Sequence, residues 1–244
     1  MPEWAVATPV ALRRLDADAL PLWLCLSGLA TGLSLVLAAV LDGADSHGAM
    51  TPGHMHTHHV HHLVMIVGTT LIMMSTFAFP LLRTVARTTL WMEAVMAVAA
   101  AWVGFIGLWC VAAIGMHVAG ELLASVLTQQ GAIVVLAGLC VVAQLTRRRA
   151  AMLNACQRTR PMRPHRPVGG GLSWSADAAY RCIKVCAAPM TLMALSPTLA
   201  VSTVIAALVW WERFSSRRRE HRPPLMLGYL VIGAGMLLEV AIEP

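Results

Sequence analysis

Charge is what this chain has least of. Asp, Glu, Lys and Arg make up 12% of 244 residues, about half the share usual in a soluble domain. Lysine is nearly missing: Lys184 stands against 17 arginines. No polar stretch is long enough to divide the chain in two, so one domain over residues 1–244 is expected. The six cysteines, Cys25, Cys110, Cys140, Cys156, Cys182 and Cys186, are too scattered for the disulfide framework of a small secreted domain. No Walker A sequence and no phosphorylation-type Asp motif is present, which argues against ATP-driven pumping by this chain alone. The first apolar stretch, Leu20 to Leu41, is longer than the h-region of a cleavable signal and reads as a retained span.

What the chain does have is apolar surface. Hydrophobic residues make up 58% of it, and the mean hydropathy is +0.69. A soluble core of this size cannot absorb that much, so lipid is the expected solvent and the lipid bilayer the first partner. Continuous apolar runs cover Leu20 to Leu41, Leu63 to Leu82, Leu90 to Met116, Leu122 to Leu145, Cys186 to Trp211 and Leu225 to Ile242. Continuous rather than alternating runs indicate helices, not a barrel. The expected fold is all-α, a polytopic transmembrane bundle of six or seven segments. Ser196-Pro197, near the middle of the longer region Asp177 to Glu212, suggests a helical hairpin there, because proline ends a helix near the residue before it. The second arm would be short.

Arginines set the expected orientation. They gather at Arg13-Arg14, Arg83 and Arg87, Arg147 to Arg166, and Arg213 to Arg222. With the hairpin, all lie on one side, predicted to be cytoplasmic along with the N-terminus. A cell-membrane, multi-pass location follows. A basic loop over residues 146–176 is expected inside, and a His-rich loop over residues 46–62 outside. The arginines flank apolar spans and accompany no recognition motif, so nucleic acid is excluded as a partner. Glu93, Glu212 and Glu239 read as interfacial, with no ionisable residue clearly central in the bilayer.

The stretch from His47 to His62 holds seven of the ten histidines. Neutral imidazole is the commonest metal ligand near pH 7, and thioether adds affinity for Cu(I). Interleaved Met50, Met55 and Met65 therefore favour copper, with zinc or nickel as alternatives. Residues Gly53 to Thr57 read as irregular, with His54 and His56 a flexible pair. The second helix is expected from His58, which puts His58 and His62 one turn apart and His61 near Met65. His54, His56, His58, His59, His61, His62 and Met65 are the expected ligands. Asp42, Asp45, His117 and Glu121 are candidates to complete a coordination sphere, the last two in a turn between the third and fourth spans. A solvated polar loop and a pH sensor are the competing readings.

A second constellation is Cys182, Cys186, Met190 and Met193, whose offsets of four, four and three share one helix face. It is expected to begin near the cytoplasmic surface beside Arg181 and Lys184, cations that favour the thiolate form. Thiolate and thioether suit Cu(I), and Cys156 is a candidate third sulfur. Ordinary core packing is the competing reading, since Cys and Met are common buried residues.

From about His61 onward the chain resembles bacterial integral membrane proteins known only as predicted metal-binding, a family of unknown function. The likeness lies in Met65, Met73, Met74 and Pro80; Gly104 and Trp109; Gly138, Gln144-Leu145-Thr146, Arg149, Leu153, Cys156, Arg158 and Pro161; Cys182 to Cys186 with Met190 and Met193; and Trp211-Glu212-Arg213. Departures are Ala187-Ala188-Pro189 after Cys186 and the expanded His-rich segment. The resemblance implies a membrane fold and metal binding, without a settled activity. The leading expectation is a metal-handling membrane protein that binds copper through the external His/Met-rich loop. The alternatives are a subunit or assembly factor of a larger membrane metalloenzyme complex, with membrane-complex subunits as partners, and a membrane metalloenzyme. His58-x-x-His61-His62 resembles one histidine box of the membrane desaturases, but the remaining histidines stand singly, which argues against the enzyme.

Overall fold

The computed structural model describes residues 4–45, 54–88, 91–146, 149, 151–153, 156, 167–195, 199–214 and 222–242, with side chains described over fewer of them, residues 54–62 among the exceptions. Six helices carry nearly all of this: α1 (Trp4–Asp45), α2 (His54–Thr88), α3 (Trp91–Leu145), α4 (Pro167–Leu195), α5 (Leu199–Phe214) and α6 (Arg222–Ile242). No strand occurs among the described residues. Five helices are long and apolar enough to cross a membrane, over Asp18–Leu41, Leu63–Arg87, Glu93–Leu145, Pro167–Leu195 and Pro223–Ala241. The protein is a multi-pass, all-helical membrane bundle. Helices answer the need to satisfy every backbone polar group where no water is present. α5, with 16 residues, is about 24 Å long and falls short of a full crossing.

α3 is a double-length helix of 55 residues, broken at Thr128 (φ 67°, ψ 160°). A β-branched residue at positive φ is strained. The break is capped locally, because the Gly131 N–H donates to Thr128 Oγ1 at 3.3 Å, a bond of the N-cap kind that starts a second arm. The turn expected around His117 and Glu121 is thus displaced to Thr128. His117 lies inside the first arm, buried, with Nε2 3.2 Å from Glu121 Oε1 one turn on. Both residues fit a helix there because their i, i+4 contact stays within one face.

Two other boundaries differ from expectation. α2 starts at His54, so residues 54–57, expected to be irregular, are helical, and His54, His58 and His62 fall on successive turns. α4 starts at Pro167, so residues 167–176 of the expected basic loop are helix. Proline is well placed at a first helical position, where its missing N–H costs nothing.

Close backbone approaches hold the bundle. Gly28 faces the Ser75 side chain and Trp102, while Gly32 faces Gly68, and this reversed order makes α1 and α2 antiparallel. A Cβ at Gly32 would stand 2.7 Å from the Gly68 carbonyl oxygen. Small residues are favoured where helices pack in lipid, because close contact substitutes for the missing hydrophobic drive. Gly171 faces Ala97, Gly104 faces Ser175, and Gly120 faces Thr191 and Leu195, so α4 runs parallel to the first arm of α3. At one end of the α1–α2 pair, Arg83 donates from Nε and Nη2 to the two oxygens of Asp18 at 2.8 and 2.7 Å, and Arg87 adds a third bond at 2.9 Å. Leu33, Val111, Val126, Leu139, Leu230 and Leu238 stay exposed on the outside, as a lipid-facing surface requires.

Gly32→Leu is expected to lower stability by about 1–3 kcal/mol through overpacking against backbone. Gly107→Leu, where an added Cβ meets nothing within 4 Å, is expected to leave it unchanged. Thermal unfolding of the detergent-solubilised protein separates the two.

Candidate functional site

α4 and α5 run back along each other. Thirteen residues before the end of α4, Cys182 meets Arg213, near the far end of α5: Arg213 Nη1 donates to Cys182 Sγ at 3.0 Å. The two helices therefore form an antiparallel pair. Cys182 also lies within hydrogen-bond reach of Cys186, one turn along, and of Cys156, which comes from the segment between α3 and α4. All three sulfurs are buried. Hydrogen bonding to Cys182 pushes the Cys156 thiol up from its ordinary value, and burial adds to this. Met190 and Met193 continue the same face of α4 and are buried as well.

The cation in contact with Cys182 is not one the local sequence suggests. Arg181 turns to Asp177, with bonds of 3.1 and 2.6 Å, and Lys184 lies over the Tyr180 ring at 4.0 Å. Arg213 reaches the sulfur instead, and its guanidinium also sits 4.7 Å from the centre of the Phe77 ring. Phe77 lies near the middle of the α2 span Leu63–Arg87. The cluster thus packs against α2 through Arg213 and Phe77.

Behind Arg213 lies a buried ion pair. Arg149 Nε and Nη2 donate to the two Glu212 oxygens, both at 2.7 Å, and Arg149 Nη1 donates to the Val185 carbonyl at 3.0 Å. Arg149 and Glu212 are 9% and 5% exposed, so the pair is enclosed within the bundle. The fork-on-carboxylate geometry is the strong form of this contact, and it bridges the segment after α3, the end of α5 and the α4 backbone. Gln144 Nε2 and Tyr229 Oη are also buried, without hydrogen-bond partners among the described residues.

Of the expected ligands, Cys182 and Cys186 come together, and Cys156 joins them. Met65 packs in the α1–α2 seam with Val36 and Ala39. The side chains of His54, His56, His58, His59, His61 and His62 lie outside the described residues, as do those of Asp42 and Asp45. Among the described residues, no group of three or more His, Cys, Asp or Glu is placed to hold one metal ion. Sequence reasoning missed Arg149, Glu212 and Arg213 as site residues, because arginines in short loops read as topology signals. A signal was present in α5: Ile205, Leu208, Val209 and Glu212 repeat at helical spacing, which puts the carboxylate on the buried stripe.

No protein-family model matches this chain, no curated protein does, and no solved structure resembles it at a significant level.

Glu212→Ala leaves Arg149 buried without its carboxylate and is expected to cost about 3–5 kcal/mol. Replacing both partners, Arg149→Met with Glu212→Leu, should recover most of that loss. Thermal unfolding of the two variants beside wild type checks it.

Proposed function

We propose that this protein handles a soft metal ion in the cell membrane, with Cu(I) as the cargo. The observation that carries the reading is the meeting of Cys156, Cys182 and Cys186, from two separate segments, in one buried cluster. Thiolate and thioether select Cu(I), and Cu(I) is satisfied by two sulfur donors. Structural zinc asks for four ligands, more than the described residues bring together. Cys182 and Cys156 would hold the ion, with Cys186 one turn away as an exchange partner and Met190 and Met193 beyond it. A guanidinium against Cys182 supplies the positive surroundings that a reactive thiolate needs.

Two further points support the reading. Arg149, Cys156, Cys182, Cys186, Glu212 and Arg213, which carry the resemblance to the predicted metal-binding family, meet at this cluster. The His- and Met-rich segment at the start of α2 is chemically suited to capture copper ions. In this reading it faces outward, the N-terminus and arginines face the cytoplasm, and copper passes from the His segment to the sulfurs. Zinc or nickel would remain on imidazole and not advance.

Metal analysis of purified protein after exposure to Cu(I) tests this. Wild type is expected to retain bound copper through a competing Cu(I) chelator. The double variant Cys156→Ser and Cys182→Ser should lose that tightly held fraction by at least tenfold. Changing the six histidines from His54 to His62 to Ala should slow loading and leave the tightly held fraction intact. Equal retention in the cysteine variant and wild type would end the proposal.

A further inference from the structure

The two donor sets of this chain suit different oxidation states of copper. Imidazole suits Cu(II), whereas thiolate and thioether suit Cu(I). Six histidines lie between His54 and His62, in the first turns of α2. Cys156, Cys182 and Cys186 form the buried cluster, and Met190 and Met193 continue its α4 face. A copper ion that leaves the histidines as Cu(II) must gain one electron before the sulfurs favour it.

A source of electrons is built into the cluster. Cys156 and Cys182 are free thiols within hydrogen-bond reach of each other. They come from separate pieces of chain, so one helix does not dictate the distance between their sulfurs. Cys182 and Cys186 differ in this respect. Both lie on α4, one turn apart, where Cβ atoms stand about 5–6 Å from each other. A disulfide needs a Cβ separation of about 3.5–4.5 Å. Cys156 is therefore the partner on which Cys182 can close while α4 stays intact. Both sulfurs are buried. Burial keeps bulky oxidants out and leaves a small ion as the fitting electron acceptor.

We infer that Cys156 and Cys182 form a dithiol reductant that converts arriving Cu(II) to Cu(I). The inference rests on the copper reading of the cluster and adds a reaction to it. Both S–H bonds break and one S–S bond forms. The two electrons released reduce two Cu(II) ions to Cu(I), one electron each, and the two protons leave to solvent. Cys186 and Met190, further along the α4 face, remain sulfur donors for the product. A small thiol reductant reopens the disulfide by exchange and is itself oxidised to a disulfide. The reopened pair then holds Cu(I) as thiolates.

The test uses the full-length, fully reduced protein in detergent, without oxygen. Cu(II) is added, and the Cu(I) formed is read with a Cu(I)-specific chromophoric chelator. Free thiols are then alkylated and the chain is digested with trypsin, which cuts after Arg181 and Lys184 and so separates Cys182 from Cys186. Wild type is expected to yield about two Cu(I) per chain and a linkage joining the Cys156 peptide to the Cys182 peptide. Cys156→Ser and Cys182→Ser should each lower the Cu(I) yield by roughly tenfold, while Cys25→Ser and Cys110→Ser, outside the cluster, should match wild type. The inference is overturned if the two cluster variants reduce Cu(II) as wild type does. It is equally overturned if wild type forms no Cu(I), keeps all its thiols, or links other cysteines, results that need no variant to fold. Wild type that retains Cu(I) offered directly but does not reduce Cu(II) removes this inference alone. Failure to retain Cu(I) would remove the copper reading beneath it.

Discussion

The contact on which the rest of the site depends is the forked ion pair between Arg149 and Glu212. Both oxygens of Glu212 accept from one guanidinium at 2.7 Å, and the same guanidinium reaches the Val185 carbonyl. Three pieces of chain distant in sequence meet there. The pair holds the segment after α3 against α4, which brings Cys156 to Cys182. It also fixes the end of α5, which sets Arg213 in the next position along. A charge buried in a bundle like this is costly unless its partner is in place, so the geometry tolerates little slack.

That constraint sits inside a fold otherwise governed by lipid. The outer surface is Leu and Val, and the helices approach one another through Gly32, Gly68, Gly104 and Gly171. In such a bundle, polar side chains with no structural duty are disfavoured. The concentration of arginine, glutamate and cysteine in one buried cluster therefore stands apart from the packing around it. Thr128 is a second departure: a strained residue converts one very long apolar helix into two arms.

Much of the fold could be read from the chain. Run length and continuity identified the membrane helices, and Ser196-Pro197 marked the reversal between α4 and α5. The helix starts were less legible. His54 to Thr57 and residues 167–176 are polar or glycine-rich, so they resemble loops, although a neighbouring helix can carry them as extra turns. The break in α3 was misplaced because His117 and Glu121 are the obvious polar residues, whereas Thr128 acts through backbone geometry and a cap. At the site, the sulfur stripe followed from helical spacing alone. Its third cysteine was suggested only by neighbourhood, and the arginines were hidden because the same residue type also marks topology. Only a tertiary contact distinguishes Arg149, which folds inward, from the arginines that surround it in sequence.

X-ray absorption at the copper edge of Cu(I)-loaded protein tests the central claim most directly. A buried pair of thiolates predicts a first shell of sulfur alone at low coordination number, unchanged when the six histidines from His54 to His62 are replaced. A first shell dominated by nitrogen or oxygen, or one lost with those histidines and indifferent to Cys156→Ser and Cys182→Ser, would contradict it.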